Sequence, residues 1–140
     1  MSTTNIRKRK EKMRSMSHKT RLNVRIDDKD ALIKALEEMG YEVSEERRTL
    51  SAFSWQMETD LVVKKDGNVL NIGFKEQEDG SFKIEADFYG TGISTTEFQE
   101  QLNVLYGKHK VTNWLIRNRY TPTYETDEEG NLVVVGTRWI

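Results

Sequence analysis

The residues of this 140-residue chain whose types could support catalysis are a histidine and two carboxylates. His109 follows Tyr106 by three positions and Leu102 by seven, a spacing that sets all three on one helical stripe. An imidazole acts as a general acid or base only when the reacting group and an orienting carboxylate lie within hydrogen-bond reach. Glu85 and Asp87 are the nominated carboxylates, because alternate residues of a strand project to the same side. Each also has a structural reading. A histidine that continues an apolar stripe is commonly a hydrogen-bonded boundary residue, and Lys83 shares the side of Glu85 and Asp87, as on a solvated, salt-bridged face. Asp87 also precedes Phe88-Tyr89-Gly90, where a carboxylate can accept backbone N–H groups of the following turn.

Other chemistries find less to work with. His18 and His109 are the two histidines and there is no cysteine, so thiolate nucleophiles, disulfides and three-histidine metal sites are excluded. No phosphate-binding loop occurs, and Gly90-Thr91-Gly92 lacks the third glycine of a dinucleotide fingerprint. Neither a Gly-x-Ser-x-Gly elbow nor a His-Glu-x-x-His helix is present. The sequence calls for no cofactor and no metal.

A stronger signal for binding is charge. Arg7, Lys8, Arg9, Lys10, Lys12 and Arg14 cluster near the N-terminus, and such a cluster neutralises phosphates whatever the base sequence. Residues 1–25 hold nine Lys or Arg against one acid, whereas the remaining 115 residues hold 13 against 22. That split suggests an acidic partner for the tail, or a tail that folds back on its own body. A second group, Phe53, Trp55 and Met57 beside Arg47 and Arg48, could form a stacking or protein-binding edge, or pack beneath its own loop.

These residues need elements to hold them. Residues 1–15 lack an apolar stripe and read as a disordered basic tail, leaving 16–140 as a single domain. A strand is expected over Lys19–Ile26. A helix follows, capped by Asp27 or Asp28, carrying Leu32, Ala35, Leu36 and Met39 on one face and closed by Gly40 and Tyr41. Residues 42–58 read as a loop in the middle, with room for a short strand at either end. Asp66-Gly67 and Asp79-Gly80 then join three strands, 60–65, 69–75 and 81–89, as hairpins. Ser94 to Glu97 fits a capping box, and the helix it opens is expected to bend or break at Gly107, with Val111, Trp114 and Leu115 on a rotated face. A hairpin over 123–126 and 132–139 turns at Glu129-Gly130-Asn131, and its run Leu132 to Val135 suggests a strand buried on both faces. The order β-α-(β)-β-β-β-α-β-β predicts an α+β domain: a mostly antiparallel sheet of five to six strands with two main helical segments on one face.

No run approaches the roughly 18 apolar residues of a membrane span, and no apolar stretch follows the N-terminal bases as in a secretory signal. The cytoplasm, a plastid stroma or an infected host's cytosol is the expected setting.

From Met16 onward the chain resembles the hypothetical chloroplast open reading frame thirty-five proteins, a family of unknown function. The segments that carry the likeness are Met16-Ser17-His18, Asp30-Ala31-Leu32 to Gly40-Tyr41, and Ile72-Gly73-Phe74. Ala86-Asp87-Phe88-Tyr89-Gly90, Leu105 to Val111 and Arg138-Trp139 complete it. The resemblance implies an α+β fold and no known activity, and it draws attention to His109, Asp87 and Tyr106. Together these observations favour a non-catalytic binding or adaptor domain that docks on a larger protein or ribonucleoprotein assembly. The alternatives are RNA or ribosome binding through residues 1–25, and a small enzyme using His109 with Asp87 or Glu85.

Overall fold

The computed structural model describes residues 8–14, 25–51 and 55–139, with 8–14 and Trp139 described through the backbone alone. Its elements run β1 (Lys8–Arg14), α1 (Lys29–Glu38), β2 (Glu42–Ser51), β3 (Gln56–Lys65), β4 (Asn68–Glu76), β5 (Phe82–Ala86), α2 (Thr95–Arg117), β6 (Thr121–Thr126) and β7 (Leu132–Trp139). The class is α+β, as expected, but the strands divide between two antiparallel sheets rather than forming one. Their orders are β2-β3-β4-β5 and β1-β7-β6.

Local signals set the helix ends. The Asp28 carboxylate accepts from the backbone N–H of Ala31 at 3.1 Å, satisfying one of the free donors of the first turn of α1. At the other end Gly40 takes φ +96°, a left-handed value that glycine adopts without a Cβ penalty, and Tyr41 donates back to the Leu36 carbonyl. Ser94 caps α2 through the N–H of Glu97. The bend expected at Gly107 does not occur, because α2 is one continuous helix of 23 residues. Interior glycine costs about 1 kcal/mol, and packing along both halves of the helix outweighs that cost.

The first half of α2 and all of α1 cover one face of the four-stranded sheet. Ala31, Leu32, Ala35 and Leu36 from α1 and Phe98, Leu102 and Tyr106 from α2 meet Leu61, Val63, Ile72, Phe74 and Phe82. Ile84, Ala86 and Phe88 pack against the same core, as their shared face on the third hairpin strand predicts. The second half of α2 packs on the other sheet through Leu115, which joins Tyr120 and Val134 with Val111 alongside. Val133, Val134 and Val135 are all buried, as expected of a central strand.

Two expectations are corrected, and a third lies largely outside the described residues. Residues 42–51, expected to be largely loop, form a ten-residue strand, β2, paired with β3 from Glu42↔Lys64 to Ser51↔Gln56. β2 is an edge strand, so its charged residues face solvent and no alternation marks it. Residues 8–14, expected within a disordered tail, form β1, paired antiparallel with β7 from Lys8↔Trp139 to Arg14↔Val133. The pairing is remote in sequence, and a stretch whose one apolar residue is Met13 carries no local sign of it. The strand expected over 19–26 lies outside the described residues except at its end, where Ile26 forms a bridge with Phe82. No helix of the described residues is long and apolar enough to cross a membrane.

The seat of α2 on the second sheet depends on a missing side chain. A Cβ at Gly136 would collide with Cδ2 of Leu115 and lie 3.1 Å from the Tyr120 ring. Gly136→Ala should therefore destabilise the fold by about 1–3 kcal/mol through overpacking. Urea unfolding would show a lower midpoint, and an unchanged midpoint would mean that Leu115 does not rest on β7.

Candidate functional site

Of the candidate residues, Tyr106 and His109 lie between α1 and α2, where each bonds to a residue in or just before α1. The Tyr106 hydroxyl accepts from the backbone N–H groups of Asp27 (2.9 Å) and Asp28 (3.1 Å) and donates to Asp27 Oδ1. It thereby satisfies the chain entering α1, and removing it would leave donors unpaired at about 1–3 kcal/mol each. Tyr106, a binding candidate through the family resemblance, is fully buried. Lys110 Nζ reaches the same Asp27 oxygen at 2.6 Å, and Asn113 donates to Asp28 and Asp30.

His109 does find a carboxylate, but it is Glu38 on α1. Nε2 lies 2.7 Å from Glu38 Oε1, and Lys108 Nζ holds the same carboxylate at 3.0 Å. Asp87 lies just past the end of β5 and accepts from the Tyr89 N–H at 3.1 Å, the turn-closing role that its position allows. Glu85 lies within β5, paired with Gly73. The hydrogen bonds of Tyr106, His109, Lys110 and Asn113 make a helix–helix network with Asp27, Asp28, Asp30 and Glu38. Among the described residues no group of three or more histidine or carboxylate side chains could hold a metal ion.

A shallow groove of about 280 Å³ lies on the four-stranded sheet, lined by Arg47, Arg48, Thr49, Glu58, Thr59, Asp60 and Lys75. A bulge creates it: the register shift between Glu45 and Arg48 sets Glu46 and Arg47 against Asp60 alone. Asp60 sits 3.6 Å from Arg47 and 3.9 Å from Lys75, and Arg48 pairs with Glu46. Acids therefore answer the groove's cations. Trp55 stands at the hairpin tip beyond Ser51↔Gln56 and is 52% exposed, while Phe53 lies outside the described residues.

Positive charge is concentrated elsewhere in the chain, although Lys108 and Lys110 are paired with Glu38 and Asp27. Residues 26–90, which build α1 and the first sheet, hold 16 acids and eight bases, whereas residues 101–120 hold four bases and no acid. The basic part of α2 ends beside the second sheet, where β1 adds Lys8, Arg9, Lys10, Lys12 and Arg14 in register with β7. Arg9 pairs with Arg138 and Lys10 with Thr137, which in turn pairs with Thr121. Arg7 and His18 lie outside the described residues.

Aromatic rings sit at this end. Trp114 stacks on Tyr120 with centroids 6.0 Å apart and planes 28° apart, and the Arg138 guanidinium lies 4.4 Å over the Tyr120 ring. Trp114, Ile116, Arg117 and Arg119 are exposed. Arg119 occupies the left-handed position that closes α2, at φ +65°, with Tyr120 donating to the Leu115 carbonyl. Reasoning from sequence did not nominate Trp114, Tyr120, Arg117 or Arg119. The run Asn113-Trp-Leu-Ile-Arg-Asn-Arg-Tyr120, with aromatics and arginines interleaved, is the signal that would have found them.

The helix–helix network has an electrostatic signature. The Lys110 ammonium, hydrogen-bonded to Asp27, holds that carboxyl below its usual range, and the same contact raises Lys110. For Glu38, burial acts to raise the pKa, but hydrogen bonds from Lys108 and His109 outweigh it and the net shift is downward. A carboxylate with a depressed folded pKa lends stability that is full above its unfolded value and is lost as pH falls through the folded one. Lys110→Met should therefore lower stability at neutral pH, and the gap from the native chain should close as pH drops below about 4. Urea midpoints measured from pH 7 to pH 2 would show this convergence, and a gap constant with pH would contradict it.

Comparison with known proteins adds a family. No curated protein and no solved structure matches the chain. The family model described as "Protein of unknown function (DUF1257)" matches residues 35–135, which run from within α1 through all but the end of β7. The chain belongs to that family.

Proposed function

We propose that this protein is a non-catalytic docking domain that engages a larger assembly, protein or ribonucleoprotein, through the basic end formed by β1, β7 and the C-terminal half of α2. The observation that carries this reading is the register of β1 with β7. It turns a run of cations that read as a loose tail into part of a sheet, beside Arg138 and the acid-free half of α2. The remainder of the chain is net acidic, so the molecule is polarised and would approach an anionic surface by one end. A small enzyme built on His109 with Asp87 or Glu85 draws no support from the geometry, since the imidazole is engaged by Glu38.

Two finer assignments belong to the same proposal. The runs Ala86 to Gly90 and Leu105 to Val111 support a place beside the hypothetical chloroplast open reading frame thirty-five proteins. The absence of cysteine fits work in a reducing compartment such as the cytoplasm.

The test is sedimentation of the tagged full-length chain in lysate of its source at rising salt. The native chain should travel with large assemblies at low salt and be released as salt screens the contact. A chain carrying Lys8→Glu, Arg9→Glu, Lys10→Glu and Arg117→Glu should stay at the top of the gradient. If the native chain also stays there at every salt concentration, the proposal fails.

A further inference from the structure

We infer that the basic end binds single-stranded nucleic acid, with an unpaired base stacking on Trp114 and the arginines and lysines of that end holding the phosphates. This rests on the docking reading above and names the partner's chemistry.

Three observations converge on it. First, Trp114 is 42% exposed yet fixed, because Tyr120 lies beneath it and is itself only 7% exposed. The Arg138 guanidinium covers Tyr120, and its Nε is buried with no hydrogen-bond partner among the described residues. An indole with one supported side and an open remainder suits a nucleobase, since every base offers a π-face and stacking does not depend on its identity.

Second, cations gather at the same end of the fold. Arg117 and Arg119 follow Trp114 at the end of α2, Arg138 lies over Tyr120, and β1 brings Arg9 opposite Arg138. Among the described residues β1 carries one acid, Glu11, opposite Gly136, and the other acids of the second sheet lie toward the far end of the β6–β7 hairpin. There Glu125 pairs with Val133, and Asp127, Glu128 and Glu129 form the turn. A polyanion carrying bases complements such a surface better than a duplex does, whose bases are stacked away from an exposed indole.

Third, the chain keeps an arginine where its backbone favours glycine. Arg119 closes α2 at φ +65°, a conformation costly to residues with a Cβ. Strain of this kind is retained at functional positions when the side chain has work to do. Here the side chain is an exposed guanidinium five residues beyond Trp114.

The experiment is fluorescence anisotropy with the full chain and three labelled 15-mers: oligo-U RNA, oligo-dT DNA and poly-glutamate. Oligo-U, oligo-dT or both should bind more tightly than poly-glutamate, and which of the two prevails identifies the source of the strand. Affinity should fall with salt at a log–log slope of about −0.7 per phosphate contacted. Trp114→Ala should weaken oligonucleotide binding roughly tenfold with the slope unchanged, and Trp114→Phe should restore part of the loss. Arg119→Gly relieves the left-handed strain, so it should raise the melting temperature while weakening binding and making the salt slope shallower. A loss of binding in that variant therefore cannot come from unfolding.

The inference is overturned if poly-glutamate binds as tightly as both oligonucleotides, or if Trp114→Ala leaves oligonucleotide affinity unchanged in a folded protein. In either case, salt-sensitive sedimentation with large assemblies would leave the docking reading standing with a protein partner. Loss of that sedimentation as well would remove both.

Discussion

Helix α2 has to satisfy two cores at once, and the rest of the structure follows from its doing so without a break. Phe98, Leu102 and Tyr106 belong to the core over the first sheet, and Leu115 belongs to the small core over the second. Phe98 and Leu115 are 17 residues apart, about 26 Å along a straight helix. A bend at Gly107 would swing one half away from its sheet. Continuity is secured at both ends by contacts remote in sequence. The Tyr106 hydroxyl ties the helix to the entry of α1, and the bare Cα of Gly136 lets Leu115 rest on β7.

That arrangement also accounts for the polar residues of the helix stripe. Tyr106, His109, Lys110 and Asn113 face α1, whose Asp27, Asp28, Asp30 and Glu38 meet them with hydrogen bonds and ion pairs. Their polarity secures the register of two helices whose apolar stripes are short. Beyond Asn113 the helix leaves α1 behind, and its exposed residues, Trp114, Ile116 and Arg117, have no helix to answer them. The change from internal pairing to open surface falls within one turn of α2. It is there that the basic strand β1 approaches through β7.

The parts legible in sequence are those set by neighbours in the chain. Asp28 and Gly40 bound α1, Ser94 opens α2, and Gly67, Gly80 and Gly130 place the hairpin turns, each at positive φ. The parts that were not legible depend on partners far away. The segment Lys8 to Arg14 has one apolar residue, Met13, and becomes a strand only because β7 lies alongside. The segment Glu42 to Ser51 is an edge strand with a bulge, so charges and a register shift hide its period. His109 and Glu38 are 71 residues apart, and no spacing rule pairs them. The proposed binding surface was half legible: its cations near the N-terminus were visible as a cluster, whereas the aromatic pair needed the fold to set Arg138 over Tyr120.

The account stands on β1 being a strand of the second sheet in the free protein, since that places the cations at the same end of the fold as Trp114. Amide hydrogen exchange of the isolated chain measures this directly. Amides of residues 8–14 that face β7 should be protected in alternation, as antiparallel pairing requires, together with those of β7. Exchange of all amides in 8–14 at the rate of an unstructured peptide, with β7 protected only toward β6, would contradict it.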